Sequence, residues 1–458
     1  MARILVLGGG VCGLSAGLML ARDGHAVTLL ERDAAPVPDS PERAWGAWRR
    51  AGVPHFKQPH GQQPLARTVL ERELPDVVAA CLQSGATVGD PLAYMPPTIT
   101  DRAPRPGDER FRTLQVRRPV LEQALARIAD AERGLTVRRR TGVAGLLTQG
   151  ANGSARVIGV RTDGGDELAA DLVVDAMGRG SRLPRAAAAA GLEPGTDGLV
   201  GAGFAYYSRY FHGAEPVPRA PRLTHLGSFS VLTLTGDSGT WSVTLYAAAA
   251  DRPLKRLRHP DAFTAVVSAL PRHAHWLEGE PLTGVLPMGG VIDRLRAAAP
   301  RTPGVLSVGD AWACTNPTLG RGIAVGLVHV ALLRDVVRER IGDGLEDAWR
   351  ERTDAELGHF YHSCVASDRG RLASMAAHRE GREPPAPATP AEAVGAALPL
   401  AMGRDAEAFR AGLEIIGCLA PAHEVLARPG LAGRILALAG SAPPPELERG
   451  ALLDLIAA

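Results

Sequence analysis

Apolar residues along this chain change period several times, and each change predicts an element. Arg3–Leu7 reads RILVL, a short continuous apolar run such as a strand buried on both faces carries. LSAGLMLARDG then recurs at helical spacing, and His25–Leu30 (HAVTLL) returns to a strand. A helix is predicted to open at Arg117-Arg118-Pro119, with Pro at its first position, a stripe at Leu121, Leu125 and Ile128, and Gly134 as its stop. The runs LTVRRRTGVAGLLTQ and SARVIGVRT, the turn Asp163-Gly164-Gly165 and the apolar stretch Asp171–Ala176 predict a β-meander ending in a buried strand. Alternation resumes in GAGFAYYSRYF, FSVLTLT and TWSVTLYA, the last two joined by the hairpin signal GDSG. Period two puts Phe204 and Tyr206 on one face of that sheet, and Phe229 and Trp241 add apolar area. GVLSV at 304–308 is one more short strand, and GIAVGLVHVALLRDVV is helical. After about Asp343 the pattern is helical and rich in Arg and Ala, broken at REPPAPATP (382–390).

The joints between these elements carry the chemistry. Between the first strand and helix lies Gly8-Gly9-Gly10-Val11-Cys12-Gly13, and the second strand ends in Glu31. Strand, G-x-G-x-x-G, helix, strand and acid in that order form a dinucleotide fingerprint. Gly8 permits the tight turn, Gly10 lets backbone approach a diphosphate, and Gly13 brings the helix close to the strand. The helix N-terminus offers N–H groups and partial positive charge to the phosphates, and Glu31 offers acceptors to ribose hydroxyls. An acid there disfavours a 2′-phosphate, which leaves NAD or FAD. A second glycine-rich joint, GDAWACTNPTLGRG (309–322), separates the 304–308 strand from its helix. It places little side chain near a helix start, as close approach to a flat ligand requires.

Composition narrows the frame. A chain of 458 residues exceeds one hydrophobic core. Hydrophobic content of 45% and a net charge of +2 suit a globular enzyme and give no case for a nucleic-acid partner. Five scattered cysteines without metal spacing imply free thiols in a reducing compartment, and no metal site is expected. No run is long and apolar enough to span a membrane, and the glycine spacing explains the apolar N-terminus better than a signal peptide does. The expected location is cytoplasmic.

GGGVCG with Glu31-Arg32, the RRPVL helix start, DLVVDAMGRGSR and GDAWACTNPTLGRG together resemble the FAD-dependent monooxygenases built like p-hydroxybenzoate hydroxylase. The resemblance spans residues 1 to about 340. It implies an α/β fold: a Rossmann-type, glutathione-reductase-like FAD-binding domain with an inserted β-sheet substrate domain and a C-terminal helical region. The cofactor domain would comprise 1–60, 101–185 and 291–342, the substrate domain 61–100 and 186–290, and the helical region 343–458. It further implies that Gly309 and Asp310 hold the ribityl chain of FAD, that Arg118 contacts the cofactor, and that Pro317, Gly320 and Gly322 pass beside the isoalloxazine ring. RRAGVPHFKQPHGQ (49–62) and DAMGRGSRLP look most similar to bacterial natural-product tailoring oxidoreductases, including polyene epoxidases of polyether pathways. The activity implied is epoxidation or hydroxylation of an apolar secondary metabolite by molecular oxygen, through a C4a-hydroperoxyflavin. Alternatives are a reductase of carbon–carbon double bonds like the geranylgeranyl reductases, a flavin halogenase using Lys57, and a non-redox cyclase. The family often has Asp-Gly at the second glycine turn, where this chain has Met177-Gly178. Electrons are therefore expected from NAD(P)H or from a separate flavin reductase. His60, Phe204, Tyr206 and Phe229 are the candidate substrate-pocket residues, and no side chain is singled out as catalytic.

Overall fold

Five parallel strands form the central sheet: β1 (Arg3–Leu7), β2 (Ala26–Glu31), β3 (Leu135–Arg139), β4 (Leu172–Asp175) and β5 (Val305–Ser307), in the order β5-β4-β1-β2-β3. This is a computed structural model, and it describes residues 1–150, 155–192, 196–219, 221–298, 303–440 and 446–457. Of the run SARVIGVRT, Ser154 lies outside the described residues.

The apolar run of β1 is explained by cover on both sides. Ile4 and Val6 point into a core shared with Leu18 of α1 (Val11–Arg22), Leu125 of α2 (Arg118–Ala131) and Leu332 of α3 (Gly322–Glu339). Leu5 and Leu7 point the other way, into a smaller core with Leu146 and Val160 of an antiparallel three-stranded meander. Helices Pro64–Glu73 and Pro75–Gln83 enter the first core through Val69, Leu70 and Val77.

A second, antiparallel sheet stands over the open end of the first. Its main strands are Leu223–Leu226, Phe229–Thr235, Thr240–Ala248 and Phe204–His212. Phe211, Phe229, Val231, Trp241 and Val243 share its outer face, covered by helices Pro260–Ser268 and Arg449–Ala457. The hairpin at 236–239 ties the two sheets together. Asp237, fully buried, accepts from the Arg117 backbone N–H at 2.8 Å and from its guanidinium at 2.6 Å, just before α2 begins. Ser238 N–H donates to the Gly85 carbonyl at 2.8 Å.

Past α3 runs a 35-residue helix, α4 (Leu345–Arg379), followed by a bundle of short helices with its own core around Ala401, Val425 and Ile435. No helix among the described residues is long and apolar enough to cross a membrane. Among them, too, no cluster of His, Cys, Asp and Glu is placed to hold a metal ion.

Candidate functional site

The C-terminal ends of β1, β2, β4 and β5 and the inner face of the second sheet enclose one cavity of about 780 Å³. Ligands of open parallel sheets bind at this end, where helix N-termini and loops converge. Of the residues expected to bind FAD, Gly8, Gly10, Glu31, Arg32, Arg118 and Asp310 line the cavity, as do Pro317, Gly320 and Gly322. Gly13 and Gly309 stand behind its wall.

The glycines divide by what a side chain would meet. At Gly8, φ is +101° and a Cβ would stand 2.7 Å from the Ala176 carbonyl oxygen. At Gly13 it would fall 1.8 Å from the Gly8 oxygen, and at Gly309 2.7 Å from Cys12 Sγ. These three are demanded by the chain itself. At Gly10 and Gly322 a Cβ meets nothing within 4 Å. Both line the cavity at helix starts, and neither α1 nor α3 has a side-chain cap. Two helix N-termini without side-chain caps thus open into one cavity, each beside a glycine whose missing side chain leaves open space there. That arrangement fits a dinucleotide with a flat ring at one end. Cys12, on α1, packs its Sγ against Gly309 and against Gly326 of α3; burial, aided by Asp310, pushes its thiol up to about 12.

Glu31 is more heavily engaged than expected. Its carboxylate accepts from Gly9 N–H (2.9 Å), Asp33 N–H (2.8 Å) and Arg50 (2.8 Å). A carboxylate has about four acceptor positions, so one remains for a ribose hydroxyl. Arg50, missed in the sequence reading, is the hub of this corner. Its guanidinium reaches Glu31, Asp33 and Glu122, the last fully buried. Burial opposes its charge, but Glu122, Glu31 and Asp33 outweigh it and hold its pKa above the ordinary value.

Arg118 donates to Glu122 at 2.7 Å, and its Nη1 lies 2.8 Å from His55 Nε2 and 3.2 Å from His60 Nε2. His60 Nδ1 is 2.7 Å from the Gln58 carbonyl, so Nδ1 carries the proton and Nε2 accepts from Arg118. Burial and then Arg118 push His60 down to about 3, and His55 is lowered for the same reasons. Both imidazoles are neutral acceptors that aim the guanidinium.

Asp310 sits in the turn Gly309–Ala311 and faces Arg118 and Arg179 without an ion pair to either among the described residues. Burial raises its carboxyl, opposed by Arg118, a hydrogen bond with Cys314, and Arg179. The turn is held from behind by His329, a fully buried residue whose Nδ1 accepts from Gly309 N–H at 3.2 Å. Its ring stacks on Trp349 at 4.4 Å, and burial lowers its pKa to about 3. The polar interruption at 329 in an otherwise apolar helical run was the one sequence signal for this role.

The roof of the cavity is neutral. Leu232, Leu234, Met288 and the hydrogen-bonded pair Ser208–Thr244 (2.9 Å) line it. Tyr206 lines it too, with its hydroxyl 2.6 Å from Asn316 Oδ1 and 2.6 Å from Thr318 Oγ1. Asn316 also donates from Nδ2 to Asp368 of α4 at 2.9 Å and from its backbone to Asp293 at 2.8 Å. His60 lines the cavity below. Phe204 and Phe229 do not, and their expected pocket role is corrected. Phe229 has the parity of Val231, so it faces the outer core, and Leu232 and Leu234 take the inner face. Phe204 shares Tyr206's face but lies beyond the cavity's end, packed with Met375 and Tyr246. Lys57 is also outside the cavity, its ammonium donating to the Gly46 carbonyl at 3.1 Å.

No family model matches the chain. Protein Rv3254 of Mycobacterium tuberculosis is 28% identical over 371 residues, covering 73% of each chain. Among solved structures, PqsL, a probable FAD-dependent monooxygenase from Pseudomonas aeruginosa, superposes with a TM-score of 0.60 at 16% identity, covering 82% of this chain and 99% of that one. The tetrameric form of 2-methyl-3-hydroxypyridine-5-carboxylic acid oxygenase gives a TM-score of 0.55 at 20% identity over 82% and 93%. CmlS, a flavin-dependent halogenase, gives 0.55 at 19% over 84% and 66%. The fold is therefore one that FAD-dependent monooxygenases and flavin-dependent halogenases share.

Proposed function

We propose that this protein is an FAD-dependent monooxygenase that epoxidises or hydroxylates an apolar small molecule with molecular oxygen. The observation that carries the reading is a single cavity with two unlike halves. One half has helix N-termini, Gly10, Glu31 and Asp310 in the order a dinucleotide needs. The other is a roof of Leu232, Leu234, Met288 and hydroxyls with no charged side chain on it among the described residues. Bound FAD, once reduced by NAD(P)H or by a flavin reductase, would pass those electrons to oxygen and supply its activation.

The chain's own groups would do the rest. The α1 N-terminus and Gly10 would receive the diphosphate, the free acceptor position of Glu31 a ribose hydroxyl, and Asp310 the ribityl chain. Backbone at Pro317–Gly322 and the start of α3 would lie along the ring, offering N–H groups to negative charge that develops there. The roof would exclude water and orient an apolar substrate. A polyene, terpenoid or aromatic secondary metabolite suits it.

Met177 stands where the resembling family has an acid, and Asp175 does not replace it. That carboxylate is buried and accepts from Met177 N–H (3.0 Å) and Ser181 Oγ (2.5 Å). Reduction by a separate flavin reductase fits this turn better than direct use of NAD(P)H. The halogenase reading loses its lysine, since neither Lys57 nor Lys255 lines the cavity.

The test is turnover of neutral polyene, terpenoid and aromatic candidates by the reduced, FAD-loaded protein under isotopically labelled oxygen. One labelled oxygen atom in the product supports a monooxygenase. A product reduced at a double bond under anaerobic conditions supports the reductase instead.

A further inference from the structure

The turn Gly178–Gly180 follows β4 and meets the Asp310 turn, where a Cβ on Gly178 would stand 3.9 Å from Asp310 Cβ. Its middle residue, Arg179, is half-buried and lines the cavity. The backbone there is pinned. The Arg179 carbonyl accepts from Arg294 Nη1 at 2.9 Å and from Arg296 Nη2 at 3.4 Å, and Asp175 with Ser181 braces the turn from below. The guanidinium itself has no acceptor and no ion-pair partner among the described residues. It is near enough to pull down the pKa of both Asp310 and His55.

These bonds hold the backbone of Arg179 and leave its half-buried guanidinium at the cavity wall, available to an anion there. The strand order says which anion. β4 lies between β1, which ends in the Gly8–Gly13 turn, and β5, which ends at Asp310. Arg179 therefore stands between the places assigned to the diphosphate and to the ribityl chain. We propose that Arg179 is a cofactor-binding residue that engages the diphosphate of FAD, a charge on this chain opposite to the acid its second glycine turn lacks. The inference rests on the FAD reading of the cavity.

The test is equilibrium binding of oxidised FAD and of riboflavin, which lacks the diphosphate, to the apo forms of the wild type, Arg179→Met and Arg179→Lys. Flavin fluorescence reads the binding, and thermal midpoints of the apo proteins check folding. Loss of one charge-assisted hydrogen bond should raise the Kd for FAD about 10- to 100-fold in Arg179→Met, with a shallower salt dependence. Arg179→Lys should retain part of the affinity as a point charge. Riboflavin should bind all three alike. FAD and riboflavin weakened equally would mean a structural residue and overturn the proposal. So would unchanged FAD binding with a lowered midpoint potential, since the charge would then serve the reduced ring. A wild type that binds neither flavin would sink the FAD reading itself, an outcome distinct from a failure of Arg179 alone. Should Arg179→Met not fold, Arg179→Lys decides by its ratio of FAD to riboflavin affinity.

Discussion

Asp310 and Asp368 are carboxyls raised by burial, and each leaves a mark on stability. A group whose pKa is higher in the folded state than in the unfolded one stabilises below its unfolded pKa. That contribution is lost as pH rises through the folded value. Asp310 forms no ion pair among the described residues, so replacing it with Ala removes a burial cost while removing the proposed ligand contact. The apo Asp310→Ala protein should melt no lower than wild type near neutral pH, yet bind FAD about 10- to 100-fold more weakly. A lower melting point with unchanged FAD affinity would contradict the assignment. Asp368 is pushed up to about 7, chiefly by burial and next against the opposing hydrogen bond from Asn316, with Asp293 adding to the rise. Its Oδ2 has no hydrogen-bond partner among the described residues. Between about pH 4 and about pH 7 the wild type should therefore lose stability that Asp368→Asn retains, with a slope approaching about 1.4 kcal/mol per pH unit. Thermal midpoints across that range check this. A constant gap between the two proteins would mean that the carboxyl does not titrate there.

The element that couples the two sheets is the 236–239 hairpin. Asp237 bonds both the backbone and the guanidinium of Arg117, and the next residue, Arg118, faces the cavity. Removing one partner of a buried ion pair leaves the other uncompensated, so Asp237→Ala should cost about 3–5 kcal/mol in denaturant unfolding. Because the same bonds fix the entry of α2, FAD affinity should fall with it, whereas a disturbance confined to the roof would spare the cofactor. The hairpin was legible from GDSG between two alternating runs. Its docking partner was not, because Arg117 and Asp237, 120 residues apart, are brought together only by the tertiary packing of their elements.

Across the whole molecule, what could be read from sequence was what is local. The order strand, glycine turn, helix, strand and acid is written in consecutive residues, and so is the small-residue joint before α3. Alternation showed that Phe229 and Leu232 lie on opposite faces, but not which face meets the cavity. That depends on where the cofactor layer lies. Phe204 had the right face and the wrong depth, since α4 brings Met375 over the end of the strand. The roles of Arg50, His55 and His329 could not be read because their partners come from distant elements, and a polar residue in isolation, even one that interrupts an apolar run as His329 does, gives no sign of what it pairs with.

The central claim, that this cavity is built around FAD, rests on glycines of two kinds. Gly13 is required by the chain, whereas at Gly10 the chain leaves open space. The most direct measurement is therefore a titration of apo wild type and apo Gly10→Val with FAD, alongside their thermal midpoints. The expected result is one FAD bound per wild-type chain, and a Gly10→Val protein that melts like wild type but no longer retains the cofactor. A Gly10→Val protein that binds FAD as tightly as wild type, or a wild type that binds none, would contradict the claim.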